Sequence, residues 1–133
     1  MELQVGVKIL LKNKEDKYLV ICRSAEKYPE AGAKWEIPGG RIDPGLPLSD
    51  NLKREVAEET GLTVAGEPKL LDAQDIIRPA KNRHIVRLTY MGEADGKVKL
   101  SDEHTDFKWV SFEDLYKIEP IDPIFAEALA KIK

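Results

Sequence analysis

The sequence is poor in the features that most quickly assign a protein. It has one cysteine, Cys22, so no internal disulfide can form and nothing points to an oxidising compartment. Cys22 follows Tyr18-Leu19-Val20-Ile21 and is expected to be a small buried strand residue. No apolar run approaches the roughly 20 residues of a membrane span. Met1-Glu2-Leu3-Gln4 lacks a basic stretch followed by an apolar one, so no signal peptide is expected and the cytoplasm is the expected location. Positive charge is not in surplus. The net charge is −3, which speaks against a general nucleic-acid binder, and neither a stable nucleic-acid complex nor a membrane partner is expected. Repeats, low-complexity tracts and linkers are also missing, so residues 1–133 are expected to form one domain. Nothing in the sequence speaks to the oligomeric state.

What the sequence does have is a readable series of elements. Leu3 to Lys12 and Lys17 to Arg23 read as strands around the polar turn Asn13-Lys14-Glu15-Asp16, which predicts an opening hairpin. Residues 24–34, with Pro29 and Gly32, read as a loop. Trp35-Glu36-Ile37 is a short extended piece, stopped by Pro38-Gly39-Gly40 and resumed at Arg41-Ile42. The stripe Leu48, Leu52, Val56 predicts a helix from Leu48 to Thr60, closed by Gly61 as a left-handed cap. Strands are expected over 63–77, 84–93 and 107–110, with Asp95-Gly96 as a turn between them. A short helix capped by Ser111 and a last helix from Asp122-Pro123 to Ile132 complete the chain. Strands, helix, strands, helices is the order of a mixed α/β sandwich, not of a βαβ repeat.

The Leu48–Thr60 helix breaks the usual rules at its end. Glu55, Glu58 and Glu59 stand at i, i+3 and i+4, on one face, with Cβ atoms roughly 5–6 Å apart. Two of them occupy the last turn, where the helix dipole disfavours each anion by about 0.3–1 kcal/mol. A solvated acidic face accounts for this spacing. So does a set of hard oxygen ligands gathered around Mg²⁺ or a similar ion. Gly39-Gly40 lets the backbone approach a ligand and offer a carbonyl, although a plain turn explains two glycines equally well.

Taken together, Gly40 and Arg54-Glu55-Val56-Ala57-Glu58-Glu59-Thr60-Gly61-Leu62 resemble the signature box of the Nudix (MutT-like) hydrolases. From Gly40 to Leu62 the chain has the box's 23-residue length, and eight specified positions agree. The box covers about a sixth of the chain, and the order of elements is similar to the Nudix α/β/α sandwich with a mixed central sheet over most of the rest. The resemblance implies metal-dependent cleavage of the pyrophosphate linkage in a nucleoside diphosphate joined to another group, with Mg²⁺ or Mn²⁺ as cofactor. Candidate substrates are nucleoside triphosphates, dinucleoside polyphosphates and nucleotide sugars. It implies Glu55 and Glu59 as principal metal ligands and Glu58 as a further ligand or base. It further implies a metal-facing carbonyl on Gly39 and an orienting role for Arg54.

The box expects glutamate at position 46, where this chain has Leu46, and a small residue is common where Asn51 stands. Without the carboxylate, Arg54 is expected to be less restrained, with slower catalysis or altered metal affinity. The three helix glutamates remain, so activity is expected to persist.

Glu103, in Leu100-Ser101-Asp102-Glu103-His104, resembles the loop carboxylate that joins the metal site or serves as base in related enzymes; an ordinary acidic loop is the alternative. His104 is expected to be a structural neighbour, and Trp109 to lie in the core. Arg23 is a candidate phosphate ligand, as are Arg78 and Arg83 in the basic segment 78–84, which reads equally as a solvated tip. Trp35 or Tyr28 is a candidate for stacking on a base, against the commoner fate of burial.

Two other functions compete. One is a catalytically weakened Nudix module that binds a nucleotide ligand, the case Leu46 keeps open. The other is an isoprenoid-diphosphate isomerase, for which no cysteine–glutamate pair is visible.

Overall fold

The structure is a computed structural model that describes residues 1–30 and 32–132; Ala31, in the loop expected over 24–34, and Lys133 lie outside it. Seven strands and three helices are described: β1 (Glu2–Lys12), β2 (Tyr18–Arg23), β3 (Trp35–Glu36), β4 (Gly39–Arg41), α1 (Leu48–Thr60), β5 (Ala65–Arg78), β6 (Arg83–Glu93), β7 (His104–Val110), α2 (Phe112–Leu115) and α3 (Pro123–Ile132). The strands form one mixed sheet in the order β3-β2-β1-β6-β5, with β4 beside β1 and β7 beside β2.

The alternation of β1 builds the layers. Val7, Ile9 and Leu11 pack on one face with Leu52 and Val56 of α1. Leu10 points to the other face and joins Val20, Cys22, Trp35, Leu115 of α2, and Phe125 and Leu129 of α3. The sheet therefore lies between α1 and the α2/α3 pair, as the sandwich expectation requires. Of the predicted helical stripe, Leu52 and Val56 are fully buried, while Leu48, at the first position of α1, is 37% exposed.

The opening hairpin forms as expected, but its pairing is short. β1 and β2 pair only at Lys12 and Tyr18. β6 runs parallel to β1 from Glu2–Arg83 to Lys12–Glu93 and fills one edge of it. On the other edge β4 pairs antiparallel with Gly6, Val7 and Lys8. β2 gives one edge to β7 along its length and takes β3 at Ile21 and Cys22. The β3–β4 segment is thus wedged into the split between two diverging strands. It carries Glu36, Gly39 and Gly40 to the centre of the sheet.

Two further placements matter for the site. Gly61 ends α1 in the left-handed region and donates its N–H to Ala57 O at 3.0 Å. Asp95-Gly96 is not a hairpin turn, because β7 pairs with β2 and not with β6. The loop after β6 instead crosses to the end of α1. There Lys99 N–H donates to Thr60 O (2.8 Å) and Ser101 N–H to Glu59 O (3.1 Å). Those bonds bring Glu103 and His104 beside the helix glutamates.

Candidate active site

The two glycines of β4 are demanded by contact. Gly39 has φ 139°, and a Cβ there would lie 2.0 Å from Val7 O, so no other residue can sit against β1 at this point. A Cβ on Gly40 would come within 3.0 Å of the Glu55 carboxyl. The bare backbone leaves room for one glutamate and holds another: Gly39 N–H donates to Glu59 Oε1 at 2.8 Å.

Behind the bend lies a buried charge cluster centred on Glu36. Lys8 Nζ lies 3.4 Å from Glu36 Oε1 and also donates to the carbonyls of Ile37 (3.2 Å) and Gly39 (3.3 Å). Arg23 Nε reaches Glu36 Oε2 at 3.2 Å, and His104 Nε2 reaches the same oxygen at 2.8 Å. Burial works to raise the Glu36 pKa. Lys8, the His104 hydrogen bond and Arg23 outweigh it and hold the carboxyl well below the usual range.

The helix glutamates sit in the opposite electrostatic setting. Glu59 is 5% exposed. Burial pushes its pKa up to about 7, helped by repulsion from Glu55 and opposed by Lys8, the Gly39 N–H and His104. Burial also raises Glu55, with Glu58 and Glu103 adding repulsion against the pull of Arg54. These carboxylates share one field. They differ in reach: Glu59 points inward, Glu55 stands over Gly40, and Glu58 is exposed and meets Arg54 Nη1 at 3.4 Å.

A donor set that could hold a divalent cation centres on Glu59, and the predicted ligands Glu55 and Glu58 are not part of it. Carboxylate oxygens of Glu59 and Glu103 and a ring nitrogen of His104 all lie within 4.8 Å of one another. His104 Nδ1 is buried, has no hydrogen-bond partner, and lies 3.8 Å from Glu59 Oε2. A cation placed among these groups offsets the burial and repulsion that raise Glu59 and Glu55. The Gly39 carbonyl already accepts from Lys8 and has a second lone pair to offer.

The other predicted residues divide clearly. Arg23 lines a cleft of about 240 Å³ together with Gly6, Lys8, Gly39, Gly40, Arg41, Ile76, Ile85 and Arg87. Arg78 and Arg83 do not line it; they face each other across the Pro79–Lys81 turn at the end of the β5–β6 ribbon. Trp35 is buried under Lys108 Nζ, 4.6 Å from the ring centroid, so its face is not free to stack on a base. Tyr28 holds Arg23 over its ring at 4.7 Å. Arg54 is better restrained than Leu46 suggested, because Asp43 Oδ2 (3.3 Å) and Asn51 Oδ1 (3.0 Å) both meet its Nη2.

Sequence reasoning missed Lys8, Glu36, Asp43, Asn51, Arg41 and Arg87. Two had a local signal: Glu36, as a charged residue inside the apolar Trp35–Ile37 piece, and Asn51, as a departure from the box.

Known proteins resemble this chain in sequence and fold over most of its length. A family model described as NUDIX domain matches residues 2–132. The nucleoside triphosphatase NudI of Escherichia coli O17:K52:H18 is 30% identical over 105 residues, which is 72% of this chain and 74% of that protein. The crystal structure of a MutT protein from Methanosarcina mazei Go1 superposes with TM-score 0.84 at 27% identity, covering 97% of this chain and 91% of that one. A MutT NUDIX hydrolase from Burkholderia pseudomallei superposes with TM-score 0.83 at 26% identity over the full length of both chains.

Proposed function

The chain belongs to the NUDIX family, and from that premise we propose that it is a divalent-metal-dependent pyrophosphohydrolase of small nucleotides, nucleoside triphosphates first among them. One observation carries the reading: the glycine bend has acids on one side and bases on the other. Glu59 grips Gly39 from the helix side. Gly39 and Gly40 also line the cleft that holds Lys8, Arg23, Arg41 and Arg87. A phosphate chain entering that cleft meets Arg41 together with Lys8, Arg23 and Arg87, whose charges are partly met by Glu36 and Asp122, with an anhydride bond beside the carboxylates. The name of the Escherichia coli relative supports triphosphates over dinucleoside polyphosphates and nucleotide sugars.

In this reading Glu55, Glu58, Glu59 and Glu103, with the Gly39 carbonyl, hold Mg²⁺ or Mn²⁺. Held there, a divalent cation would supply neutralisation of diphosphate charge and a more acidic attacking water. Arg54 orients Glu55 and Glu58. Glu58 and Glu103 are exposed and are the candidates for accepting the water's proton and passing it to solvent. Buried Lys8 and His104 hold Glu36, which in turn fixes Arg23 at the cleft wall. No described helix is long and apolar enough to cross a membrane. A cytoplasmic pool of free nucleotides is the proposed source of substrate.

The test is a product-identified screen of nucleoside triphosphates, dinucleoside polyphosphates and nucleotide sugars with Mg²⁺ and Mn²⁺. Nucleoside monophosphate and pyrophosphate are the expected products of a triphosphate. Glu58→Gln should slow their release on the order of 100-fold or more. Turnover no faster than buffer on every compound, with either metal, would overturn the proposal.

A further inference from the structure

Two departures from the resembled box, Leu46 and Asn51, are neighbours in the fold: Asn51 Nδ2 donates to Leu46 O at 2.7 Å. We infer that Asp43 and Asn51 together hold Arg54 in place of the glutamate missing at position 46, as positioning residues for the glutamate cluster. The inference rests on the hydrolase reading above.

Asn51 is completely buried, and its side chain uses its full hydrogen-bonding capacity. Its Oδ1 accepts from Arg54 Nη2 (3.0 Å) and from the Asp43 N–H (2.9 Å). Its Nδ2 donates to Leu46 O and to Pro47 O (3.1 Å). One side chain therefore pins the 43–47 loop onto α1, fixes the backbone of Asp43, and takes one edge of the guanidinium. Pinning the loop would itself justify a buried amide. The bond to Arg54 is additional and has no part in closing the loop.

Asp43 separates the two roles. Its side chain is 70% exposed and lies 3.3 Å from Arg54 Nη2. A pair that open to water adds little to stability. Its effect is directional: with Nη2 held by Asp43 and Asn51, Nη1 points at Glu55 (3.3 Å) and Glu58 (3.4 Å). Arg54 thus spans from the loop to the glutamates. Its buried Nε has no partner, so the substitute pair holds one edge of the guanidinium and leaves the other donor unused. Without Asp43, the full charge of Arg54 falls on Glu55 and Glu58 and competes there with a divalent cation.

A double-mutant cycle tests this with Asp43→Ala, Leu46→Glu and the double variant. Mn²⁺ affinity is read by electron paramagnetic resonance without substrate, and kcat and KM on a nucleoside triphosphate. Asp43→Ala should weaken Mn²⁺ binding and lower kcat, each on the order of tenfold, with KM and the urea unfolding midpoint unchanged. Leu46→Glu alone should stay within about twofold of wild type, and the double variant should return close to it. Asp43→Ala matching wild type in both Mn²⁺ affinity and kcat would overturn the inference. So would a double variant as impaired as Asp43→Ala. If wild type hydrolyses nothing, the hydrolase reading fails, and the substrate-free Mn²⁺ titration still decides the positioning role.

Discussion

Glu59 carries a charge that folding makes expensive. Its ordinary pKa of 4.5 rises to about 7 in the folded chain, first through burial. Below about 4.5 it is protonated in both states and neutral to stability. As pH rises from there the unfolded state ionises first, so the folded state loses ground, by roughly 3 kcal/mol in all once pH exceeds 7. In chelator, Glu59→Gln should therefore gain on wild type between pH 5 and pH 8 in urea titrations. Added Mg²⁺ should reverse that order at pH 8, because only the ionised carboxylate binds metal. Equal pH slopes for the two proteins would contradict the assignment. Glu36 behaves oppositely, as an anion stabilised by cations. Glu36→Gln leaves Lys8 buried without its counter-charge and should destabilise by about 3–5 kcal/mol, read from urea unfolding at neutral pH. The glutamate run was legible in the sequence because helix spacing places acids together. Lys8 was not, since a lysine in an apolar strand reads as a solvent-facing position until its partners are known. Asp43 escaped because it looked like loop filler, and Asn51 stood out only as a departure from the box; the contact joining them to Arg54 forms only when the loop folds back.

Among the elements, β4 is the one with no alternative sequence. Gly39→Ala forces a Cβ into Val7 O and should part β4 from β1. That takes the Gly39 N–H from Glu59, so both metal affinity and thermal stability should fall, the latter by at least ~2 kcal/mol. A melting temperature equal to wild type would show that the strand pair tolerates the methyl group. Helix α1 could be read in the sequence at both ends, because its core stripe and its left-handed glycine cap are local signals. The β1–β2 hairpin forms but is short, for the converse reason. A polar turn between two apolar runs specifies the turn, and Asn13 does close it, donating to and accepting from Lys17. It does not specify what happens further along, where β4 and β6 compete for the edges of β1 through contacts remote in sequence.

At the scale of the whole molecule, the layers followed from alternation in β1, and the cleft did not. It is assembled from β1, β2, β4, β5 and β6, and no segment announces it. Placement within it predicts which arginines matter. Arg87→Gln should raise KM for a nucleoside triphosphate severalfold. Arg83→Gln, at the distant end of the same strand, should leave KM unchanged in steady-state assays. Equal effects would argue that the substrate extends along the ribbon to the Pro79–Lys81 turn. The parallel pairing of β1 with β6 also bears on how the chain is made. The strand that leaves the ribosome early must wait for a partner that begins only at Arg83. Until then Val7, Ile9, Leu10 and Leu11 are a sticky nascent segment with an open edge, so synthesis speed and chaperone supply should govern the yield of native protein.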